Sequence, residues 1–280
     1  MNVVYGSELS KEIKEKLKNE ISQIKGRQPR LCVLLVGEDP ASVSYVRGKN
    51  KACLEVGFDC LQINLKEETT QDELIQKVLE MNNDPSVDGI LVQLPLPKHI
   101  NEKEVLRRID PSKDVDGLHP INAGKLFLGE NGFVPCTPLG VIELLRKMNC
   151  EITGKNVVVV GRSNLVGLPV SRLLIKENAT VTVCHSKTQN LKEVCKRADI
   201  LVVAMGKPRY ITEDYVKDGA YVIDVGVNRV DGKLCGDVDF DNVAPKCSAI
   251  TPVPKGVGPM TITMLLSNTL KAYKEHEGLE

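Results

Sequence analysis

The sequence predicts an α/β fold of two domains, each built on a mostly parallel sheet, with a cleft between them. At 280 residues the chain is long enough for about two domains of roughly 150 residues each. Short apolar runs alternate with amphipathic helical patterns along most of its length. This alternation is typical of parallel sheets that are covered by helices.

The first alternating set lies within residues 1–137. A helix is predicted over 10–25, with Ser10 as its N-cap. The elements that follow are strand 30–36, helix 40–56 ending at Gly57, strand 60–65, helix 70–82 and an apolar strand in "DGILVQLPLP". After "DPSKDVDGLHPINAG" the pattern loosens into a Gly-rich stretch that ends at "GFVPCTPLG".

A second alternating set begins with a helix over 138–149. Its other elements are strand 157–160, helix 165–177, strand 180–184, helix 190–197 and strands 200–203 and 220–225. A Pro/Gly loop then leads into a final helix over 259–275, with Pro259 in the first turn. We therefore assign residues 1–137, completed by 259–280, to one domain and residues 138–258 to the other.

Composition narrows the class of protein. The chain has 37 Lys plus Arg and 37 Asp plus Glu, so its formal net charge is zero. A protein that binds nucleic acid needs an excess of basic residues, so this balance argues against a nucleic-acid partner. The nine cysteines include no C-x-x-C pair and lie mostly in apolar runs, so we expect reduced thiols and no metal site. The N-terminus lacks the apolar region of a signal peptide, and no apolar run reaches about 18 residues. We expect a cytoplasmic protein with no membrane partner.

The segment "VVVVGRSNLVGLP" (157–169) predicts a buried strand, a glycine turn and a helix. It departs from G-x-G-x-x-G, because Ser163 replaces the second glycine and Gly167 comes one residue late. Gly161 and Gly167 still suit a tight turn whose amides favour phosphate, as in a Rossmann-like dinucleotide-binding domain, although a plain strand–helix turn would look the same. A G-x-S-x-G nucleophile elbow is excluded, since its last position holds Leu165.

The strand after this turn ends in "CHSKT". It carries no Asp or Glu for the ribose 2′-hydroxyl of NAD. Together with Arg162, which could form charge-assisted hydrogen bonds to a 2′-phosphate, this ending favours NADP. The alternative is a solvated polar turn.

Several polar residues of the first domain are candidates for chemistry. Tyr45 and Lys49 share one helical face, where burial would lower the lysine pKa and make its amine a usable base, although a surface pair is the plainer interpretation. Gln93 interrupts an apolar strand near its carboxyl end, where ligands bind in α/β folds. Asp116 lies in "SKDVDG", which starts like a calcium-binding loop, but Ala123 at the closing position excludes calcium binding. Two interpretations of Asp116 remain: a carboxylate that binds a ligand, or an acidic residue of a turn. Short-chain dehydrogenases also carry a Y-x-x-x-K motif, but it follows their glycine loop. In this chain the motif lies far ahead of the glycine loop, which argues against that family.

The motifs taken together resemble one known family. They are "YVRGKNKACLEVG", "DGILVQLPLP", "KDVDGLHPIN", "PCTPLG", "GRSNLVGLP", "CHSKT", "DVGVN", "GDVDF" and "TPVPKGVGPMT". In this order, from about residue 42 to 264, they resemble the bifunctional methylenetetrahydrofolate dehydrogenase/methenyltetrahydrofolate cyclohydrolase family. The chain is too short to add the formate–tetrahydrofolate ligase domain of some relatives.

This resemblance implies an activity and roles for the candidates. Folate would bind in the cleft, facing the nicotinamide of NADP, and methylenetetrahydrofolate would be oxidised to the methenyl form and then hydrolysed to formyltetrahydrofolate. Lys49 would handle protons in the hydrolysis, with Gln93 holding its amine. Tyr45 would pack against the folate, and Asp116 would bind the polar edge of the pterin. The resemblance also implies a homodimer formed through the cofactor domain, and a place in one-carbon metabolism and purine biosynthesis.

The resemblance assigns further contacts by position. The other implied substrate contacts are Val92, Leu94, Pro254, Lys255, Gly256, Val257, Gly258 and Pro259. The implied cofactor contacts are Gly161, Arg162, Ser163, Gly167, His185, Ser186 and Val227. The family commonly has glycine where this chain has Lys255, whose amine could reach the glutamyl tail of folate or point to water.

Three alternatives share parts of this pattern. A non-catalytic dinucleotide-binding sensor would have no need of Tyr45, Lys49, Gln93 and Asp116 together. A dehydrogenase with little cyclohydrolase activity would have little use for the lysine. An oxidoreductase like shikimate dehydrogenase would share the architecture but would not need "DGILVQLPLP" or "VGPMT".

Overall fold

The structure is a computed structural model that describes residues 2–279. The elements of the N-terminal half are β1 (Asn2–Val3), α1 (Gly6–Ile21), β2 (Arg30–Val36), α2 (Pro40–Val56), β3 (Asp59–Leu65), α3 (Gln71–Asn83), β4 (Gly89–Val92), α4 (Glu102–Leu106), α5 (Pro120–Leu128) and α6 (Cys136–Lys147). Those of the C-terminal half are β5 (Asn156–Val160), α7 (Gly167–Lys176), β6 (Thr180–Cys184), α8 (Leu191–Cys195), β7 (Ile200–Val203), β8 (Tyr221–Asp224), β9 (Asn228–Val230), β10 (Lys233–Cys235), α9 (Phe240–Val243), β11 (Ala249–Ile250) and α10 (Val257–Glu277).

The chain forms two compact units, whose boundaries fall inside α1, α6 and α10. The three-stranded unit comprises Ile13–Cys136 and the residues from Ile262 onward, and the six-stranded unit comprises the N-terminal residues up to Glu12 together with Thr137–Thr261. The sequence assigned the first twelve residues to the other domain. They group with the six-stranded unit because β1 pairs with β11.

Both sheets are parallel, as the alternating pattern predicts. The smaller sheet has the order β3-β2-β4 and the larger one the order β1-β11-β8-β7-β5-β6. The central strands β2, β5 and β7 and the edge strand β4 are buried at nearly every position, as expected for parallel strands covered on both faces. The predicted α/β architecture is confirmed.

Local signals account for the elements that were predicted closely. Asp39 caps α2 by accepting a hydrogen bond from the Ser42 amide at 2.8 Å, and Gly57 ends the helix with φ 93°. Thr70 and Glu73 form a reciprocal capping box at the start of α3. These features confirm the bounds predicted for the two helices to within one residue.

Other predictions of helix position were wrong. Helix α1 begins at Gly6 and ends at Ile21, so Ser10 lies inside the helix and is not its N-cap. The reason is that the amides of Glu8 and Leu9 already bond to the Tyr5 carbonyl. The helix predicted over 165–177 begins only at Gly167, because the preceding residues form the glycine turn.

Several short elements were not predicted from the sequence: β1, α4, α5, the antiparallel β9–β10 hairpin, α9 and β11. Their signals are short. In α5, the His119 side chain accepts a hydrogen bond from the Ile121 amide, Pro120 fills the first turn and Gly129 ends the helix with φ 80°.

A buried carboxylate ties the C-terminal helix to the smaller sheet. Asp88 is fully buried before β4 and accepts two hydrogen bonds from Arg27, each of 2.7 Å, and one from the Arg30 amide. His276 and Glu277 at the end of α10 join this cluster through Asp88 and Arg27 respectively. Burial alone would raise the pKa of Asp88, but the hydrogen bonds from Arg27 and His276 outweigh it and lower the pKa.

We predict that Asp88→Asn lowers the free energy of unfolding at pH 7 by about 2–3 kcal/mol, since it removes one partner of a largely buried ion pair. Because the folded pKa is depressed, this stabilisation is complete above the unfolded carboxyl pKa of about 3.9 and is lost as the pH falls through the folded pKa. Denaturant unfolding of both proteins from pH 3 to pH 7 would measure the difference. The control Glu277→Gln alters an exposed partner and should change stability by less than about 1 kcal/mol. A pH-independent difference between wild type and Asp88→Asn would contradict the electrostatic origin.

Candidate active site

The first candidate site is built on α2 and the end of β4, both in the three-stranded unit. Tyr45 and Lys49 lie one turn apart on α2, with the Tyr45 ring 56% exposed and Lys49 half-buried. Gln93 follows the last residue of β4, and its amide still bonds to the Leu34 carbonyl of β2 at 2.9 Å. The sheet therefore fixes the backbone from which the Gln93 side chain extends.

A hydrogen bond joins the two predicted polar residues. The Lys49 amine donates to Gln93 Oε1 at 2.9 Å, and the Gln93 amide group donates to the Leu94 carbonyl. Gln93 is only 8% exposed, so both ends of its side chain are held. The amine is thus fixed at the carboxyl edge of the sheet, where ligands bind in folds of this class.

The electrostatic setting of Lys49 suits proton transfer. Burial lowers the pKa of its amine below the usual lysine value, and the nearby Asp116 carboxylate partly opposes the shift by favouring the charged form. A lysine with an unperturbed pKa of about 10.4 would be almost wholly protonated at neutral pH. The lowered pKa gives this amine a larger neutral fraction that can accept a proton.

Asp116 lies in a loop that is fixed by the hydrogen bonds of its neighbour Asp114. Neighbouring Asp114 is buried and accepts hydrogen bonds from the Leu118 and His119 amides and from the Asn122 side chain. Burial raises the pKa of Asp114 to about 6 despite these bonds. Gly117 has φ 69°, and a Cβ there would lie 2.5 Å from the Val134 carbonyl carbon.

Cys136 is a site neighbour to which the sequence analysis gave no role, although "PCTPLG" was among its motifs. Its thiol donates to the Val115 carbonyl at 3.5 Å and lies close to Asp116, and burial holds the pKa of the thiol well above its usual range. Asn268 of α10 donates to the carbonyls of Val115 and Val134, at 2.8 and 3.0 Å, which flank the thiol and the loop. Lys49, Gln93, Asp116 and Cys136 therefore form one cluster.

Val92 and Leu94 are placed differently from the polar candidates. Val92 is 3% exposed, and both side chains pack into the hydrophobic cluster of the smaller sheet. The side chain of Val92 is thus committed to the core. At this edge Val92 offers a ligand only its backbone, whereas the side chain of Leu94 is partly exposed.

The second candidate site is the glycine turn between β5 and α7. Gly161 has φ 137°, and a Cβ on it would lie 2.2 Å from the Ala204 carbonyl oxygen. A Cβ on Gly167 would lie 2.1 Å from the Gly161 carbonyl oxygen. Both glycines are required by close backbone approach, as the sequence analysis expected. Ser163 Oγ accepts hydrogen bonds from the Val166 and Gly167 amides, at 3.1 and 3.4 Å, and so caps α7.

The remaining cofactor candidates lie at the carboxyl ends of neighbouring strands of the same sheet. Arg162 follows β5, His185 and Ser186 follow β6, and Val227 follows β8. The side chains of Arg162, Ser186 and Val227 are exposed, and His185 is half-buried with Nδ1 accepting from the Lys187 amide at 3.1 Å. A glycine-lined backbone turn beside an exposed arginine fits the phosphates of a dinucleotide.

Residues 254–259 also belong to the six-stranded unit and form the loop and first turn of α10. The Val253–Pro254 peptide is cis, and a Cβ on Gly256 would lie 2.2 Å from the Pro252 carbonyl oxygen. Lys255 has φ 77° and an exposed side chain, and its carbonyl accepts from the Ser7 amide at 3.1 Å. The backbone there has the left-handed conformation that favours glycine, although the residue is lysine.

Residues 2–279 contain neither a membrane-spanning helix nor a cluster of metal ligands. No helix in that range is long and apolar enough to cross a bilayer. The same range contains no group of three or more His, Cys, Asp or Glu side chains placed to hold a metal ion.

Comparison with known proteins gives consistent matches over nearly the whole chain. Residues 4–116 match the family model "Tetrahydrofolate dehydrogenase/cyclohydrolase, catalytic domain", and residues 135–277 match the NAD(P)-binding domain of the same family. The bifunctional protein FolD of Bacillus anthracis is 56% identical over 275 residues, which cover 97% of this chain and 96% of that protein.

Solved structures agree with the sequence relatives. The bifunctional FolD enzyme of Campylobacter jejuni is 50% identical with a TM-score of 0.96, and the match covers 98% of this chain and 99% of that one. The Trypanosoma brucei dehydrogenase-cyclohydrolase, solved with NADP cofactor and an inhibitor, is 41% identical with a TM-score of 0.93, over 98% and 97% of the two chains.

Proposed function

The chain belongs to the tetrahydrofolate dehydrogenase/cyclohydrolase family, and we propose here which of its residues carry the two reactions. It is a bifunctional enzyme that oxidises methylenetetrahydrofolate to methenyltetrahydrofolate with NADP and then hydrolyses the product to formyltetrahydrofolate. The observation that carries the assignment of residues is the 2.9 Å hydrogen bond from the Lys49 amine to Gln93, close to Asp116.

The three-stranded unit holds the folate, and the six-stranded unit holds NADP. This division follows the domains assigned from sequence, residues 1–137 with 259–280 and residues 138–258, except that the residues up to Glu12 and residues 259–261 group with the six-stranded unit. The support is that the matched catalytic model ends at residue 116 and the NAD(P)-binding model begins at residue 135.

The glycine turn and its neighbours hold NADP, which when bound accepts a hydride from the one-carbon unit of the folate. Gly161 and Gly167 let the backbone approach the pyrophosphate. Ser163 holds the turn by accepting hydrogen bonds from amides at the start of α7. Arg162 and Ser186 bind the 2′-phosphate, because the segment after β6 offers exposed polar groups and no carboxylate. His185 and Val227 line the same edge.

The folate is held by groups that remain open at the carboxyl edge of the smaller sheet. Asp116 accepts hydrogen bonds from the polar edge of the pterin, since a fixed carboxylate pairs well with adjacent N–H donors. The exposed ring of Tyr45 packs on the folate. Val92 and Leu94 complete the substrate contacts that this unit supplies.

Lys49 moves the protons of the hydrolysis. As water attacks the methenyl carbon and a C–O bond forms, the neutral amine accepts the proton that the water releases. One C–N bond then breaks as the ammonium returns its proton to the departing nitrogen. The amine next takes the hydroxyl proton, leaving the formyl carbonyl, and releases it to solvent as the one proton that the hydrolysis frees. Gln93 keeps the amine in one place during both transfers.

We predict that Lys49→Met lowers the rate of methenyltetrahydrofolate hydrolysis by at least about 10²-fold, because the general base is lost. With methylenetetrahydrofolate and NADP⁺, the variant should therefore accumulate the methenyl product, whereas wild type forms NADPH without accumulating it. The absorbance spectrum of the reaction follows both species.

The matched control is Lys51→Met, which removes an exposed lysine two residues along the same helix. It should hydrolyse the methenyl product like wild type. Full hydrolysis by Lys49→Met would contradict the proton-transfer role, and a wild type that reduces neither NADP⁺ nor NAD⁺ would contradict the enzyme assignment itself.

We predict that Arg162→Ala lowers the preference for NADP⁺ over NAD⁺, as a ratio of kcat/KM values, by about tenfold. That is the effect of losing one charge-assisted hydrogen bond to the 2′-phosphate. The control Lys176→Ala removes a cation at the far end of α7 and should leave the ratio unchanged. An unchanged ratio in Arg162→Ala would show that the preference has another origin.

The enzyme works as a cytoplasmic homodimer that supplies one-carbon units for purine biosynthesis. The nine cysteines are all free, as is typical of a reducing compartment. Val230 and Leu234 lie on the β9–β10 hairpin of the cofactor unit and are 39% and 41% exposed. These exposed apolar side chains make the hairpin a candidate dimer surface. Sedimentation equilibrium giving the mass of one chain would contradict the dimer.

A further inference from the structure

Two buried aspartates occupy the carboxyl edge of the larger sheet and have no part in the roles given above. Asp224 is the last residue of β8, and Asp237 follows β10 in the motif "GDVDF". Their exposed fractions are 3% and 0%. Carboxylates are almost never buried so completely unless they are paired or fully hydrogen-bonded, so their contacts indicate what they hold.

Asp237 binds two loops at once. Its Oδ2 accepts hydrogen bonds from the Met205 and Gly206 amides, at 2.7 and 2.9 Å. Its Oδ1 accepts one from the Asn228 side-chain amide at 2.8 Å. The loop after β7 and the segment after β8 are therefore connected through a single carboxylate.

Asp224 in turn fixes Asp237. Its Oδ1 accepts from the Asp237 amide at 3.0 Å and its Oδ2 from the Val238 amide at 2.9 Å. A Cβ on Gly226 would lie 2.2 Å from the Asp237 carboxyl carbon, and a Cβ on Gly236 would lie 1.8 Å from Asp224 Oδ2. The two glycines leave just the space that the carboxylates occupy.

Burial and a neighbouring carboxylate both disfavour the charged form of Asp224. Burial raises the pKa of Asp224 to about 7, and the nearby Asp237 carboxylate adds to the rise although three amides oppose it. Departures from the stable choice concentrate at functional sites in natural proteins. The position of the loops that Asp237 holds is therefore of interest.

The loop after β7 borders the crevice in which dinucleotides bind. Strand β5 is followed in sequence by β6 on one side and has β7 on the other, so the strand order reverses between β5 and β7. Ligands of open parallel sheets bind outside the carboxyl ends of the strands at this point. The Ala204 carbonyl oxygen lies 2.2 Å from where a Gly161 Cβ would be, so the loop and the glycine turn form facing walls.

We propose that Asp237 is a positioning residue for NADP, which holds the Ala204–Gly206 loop against the glycine turn and so sets the width of the cofactor crevice. Asp224 orients Asp237 through its backbone amide. The proposal rests on the assignment of NADP to the six-stranded unit. It differs from a purely structural role, because loss of the carboxylate should impair the cofactor reaction and spare the hydrolysis, whose proton-transfer residues Lys49 and Gln93 lie in the other unit.

The test compares Asp237→Ala with Asp239→Ala, which removes the second aspartate of the same motif. Asp239 bonds to the Asn242 side chain at 2.7 Å and does not contact the β7 loop through its side chain. The Kd for NADPH is measured directly by nucleotide fluorescence, and the KM for NADP⁺ and the hydrolysis of added methenyltetrahydrofolate are measured beside it.

We expect Asp237→Ala to raise the Kd for NADPH and the KM for NADP⁺ at least tenfold, with hydrolysis within about twofold of wild type. Asp239→Ala should match wild type in all three. An unchanged Kd in a folded Asp237→Ala protein overturns the proposal, as does an equal loss of hydrolysis and cofactor binding. If wild type itself binds no NADPH, the assignment of the cofactor fails instead.

Asp237→Asn decides the matter if the alanine variant does not fold. Its amide oxygen can still accept from Met205 and Gly206, while the lost charge weakens both bonds. We expect a rise of about threefold in the Kd for NADPH, again with unchanged hydrolysis. A Kd equal to that of wild type overturns the proposal.

Discussion

Parallel pairing of the strands is the constraint on which both sites depend. Because all strands of a parallel sheet end at the same edge, residues that follow different strands are brought together there. This pairing places Gln93, after β4, within hydrogen-bond distance of Lys49 on the helix that follows β2. In the larger sheet it sets the glycine turn at Gly161 against Ala204 after β7. Each unit thus gains one open edge lined with polar groups.

The chemistry depends on opposing electrostatic effects at one amine. Burial favours the neutral form of Lys49, and the Asp116 carboxylate limits the shift by favouring the ammonium. The buried Asp114 network and the neutral Cys136 thiol lie beside Asp116 and add no competing cation. In the function proposed above, the same carboxylate serves both substrate binding and the tuning of the base.

Sequence reasoning identified most of what has a local signature. Alternating apolar runs predicted both parallel sheets, and Gly57 predicted the end of α2. The spacing of Tyr45 and Lys49 predicted that they share one face of that helix. It missed contacts that depend on tertiary structure, such as Cys136 beside Asp116, because nothing in "PCTPLG" shows what the thiol meets. The prediction of Ser10 as the N-cap of α1 was wrong because a good capping residue also fits inside a helix. The first turn of α1 is already bonded to the Tyr5 carbonyl.

The pH dependence of kcat for methenyltetrahydrofolate hydrolysis tests this view of Lys49 most directly. The rate should rise as the amine loses its proton, with a midpoint below the ordinary lysine pKa of about 10.4, because burial lowers the pKa of Lys49. The uncatalysed hydrolysis is subtracted at each pH. A limb centred on the ordinary lysine pKa, or a rate independent of pH, would contradict a buried lysine base.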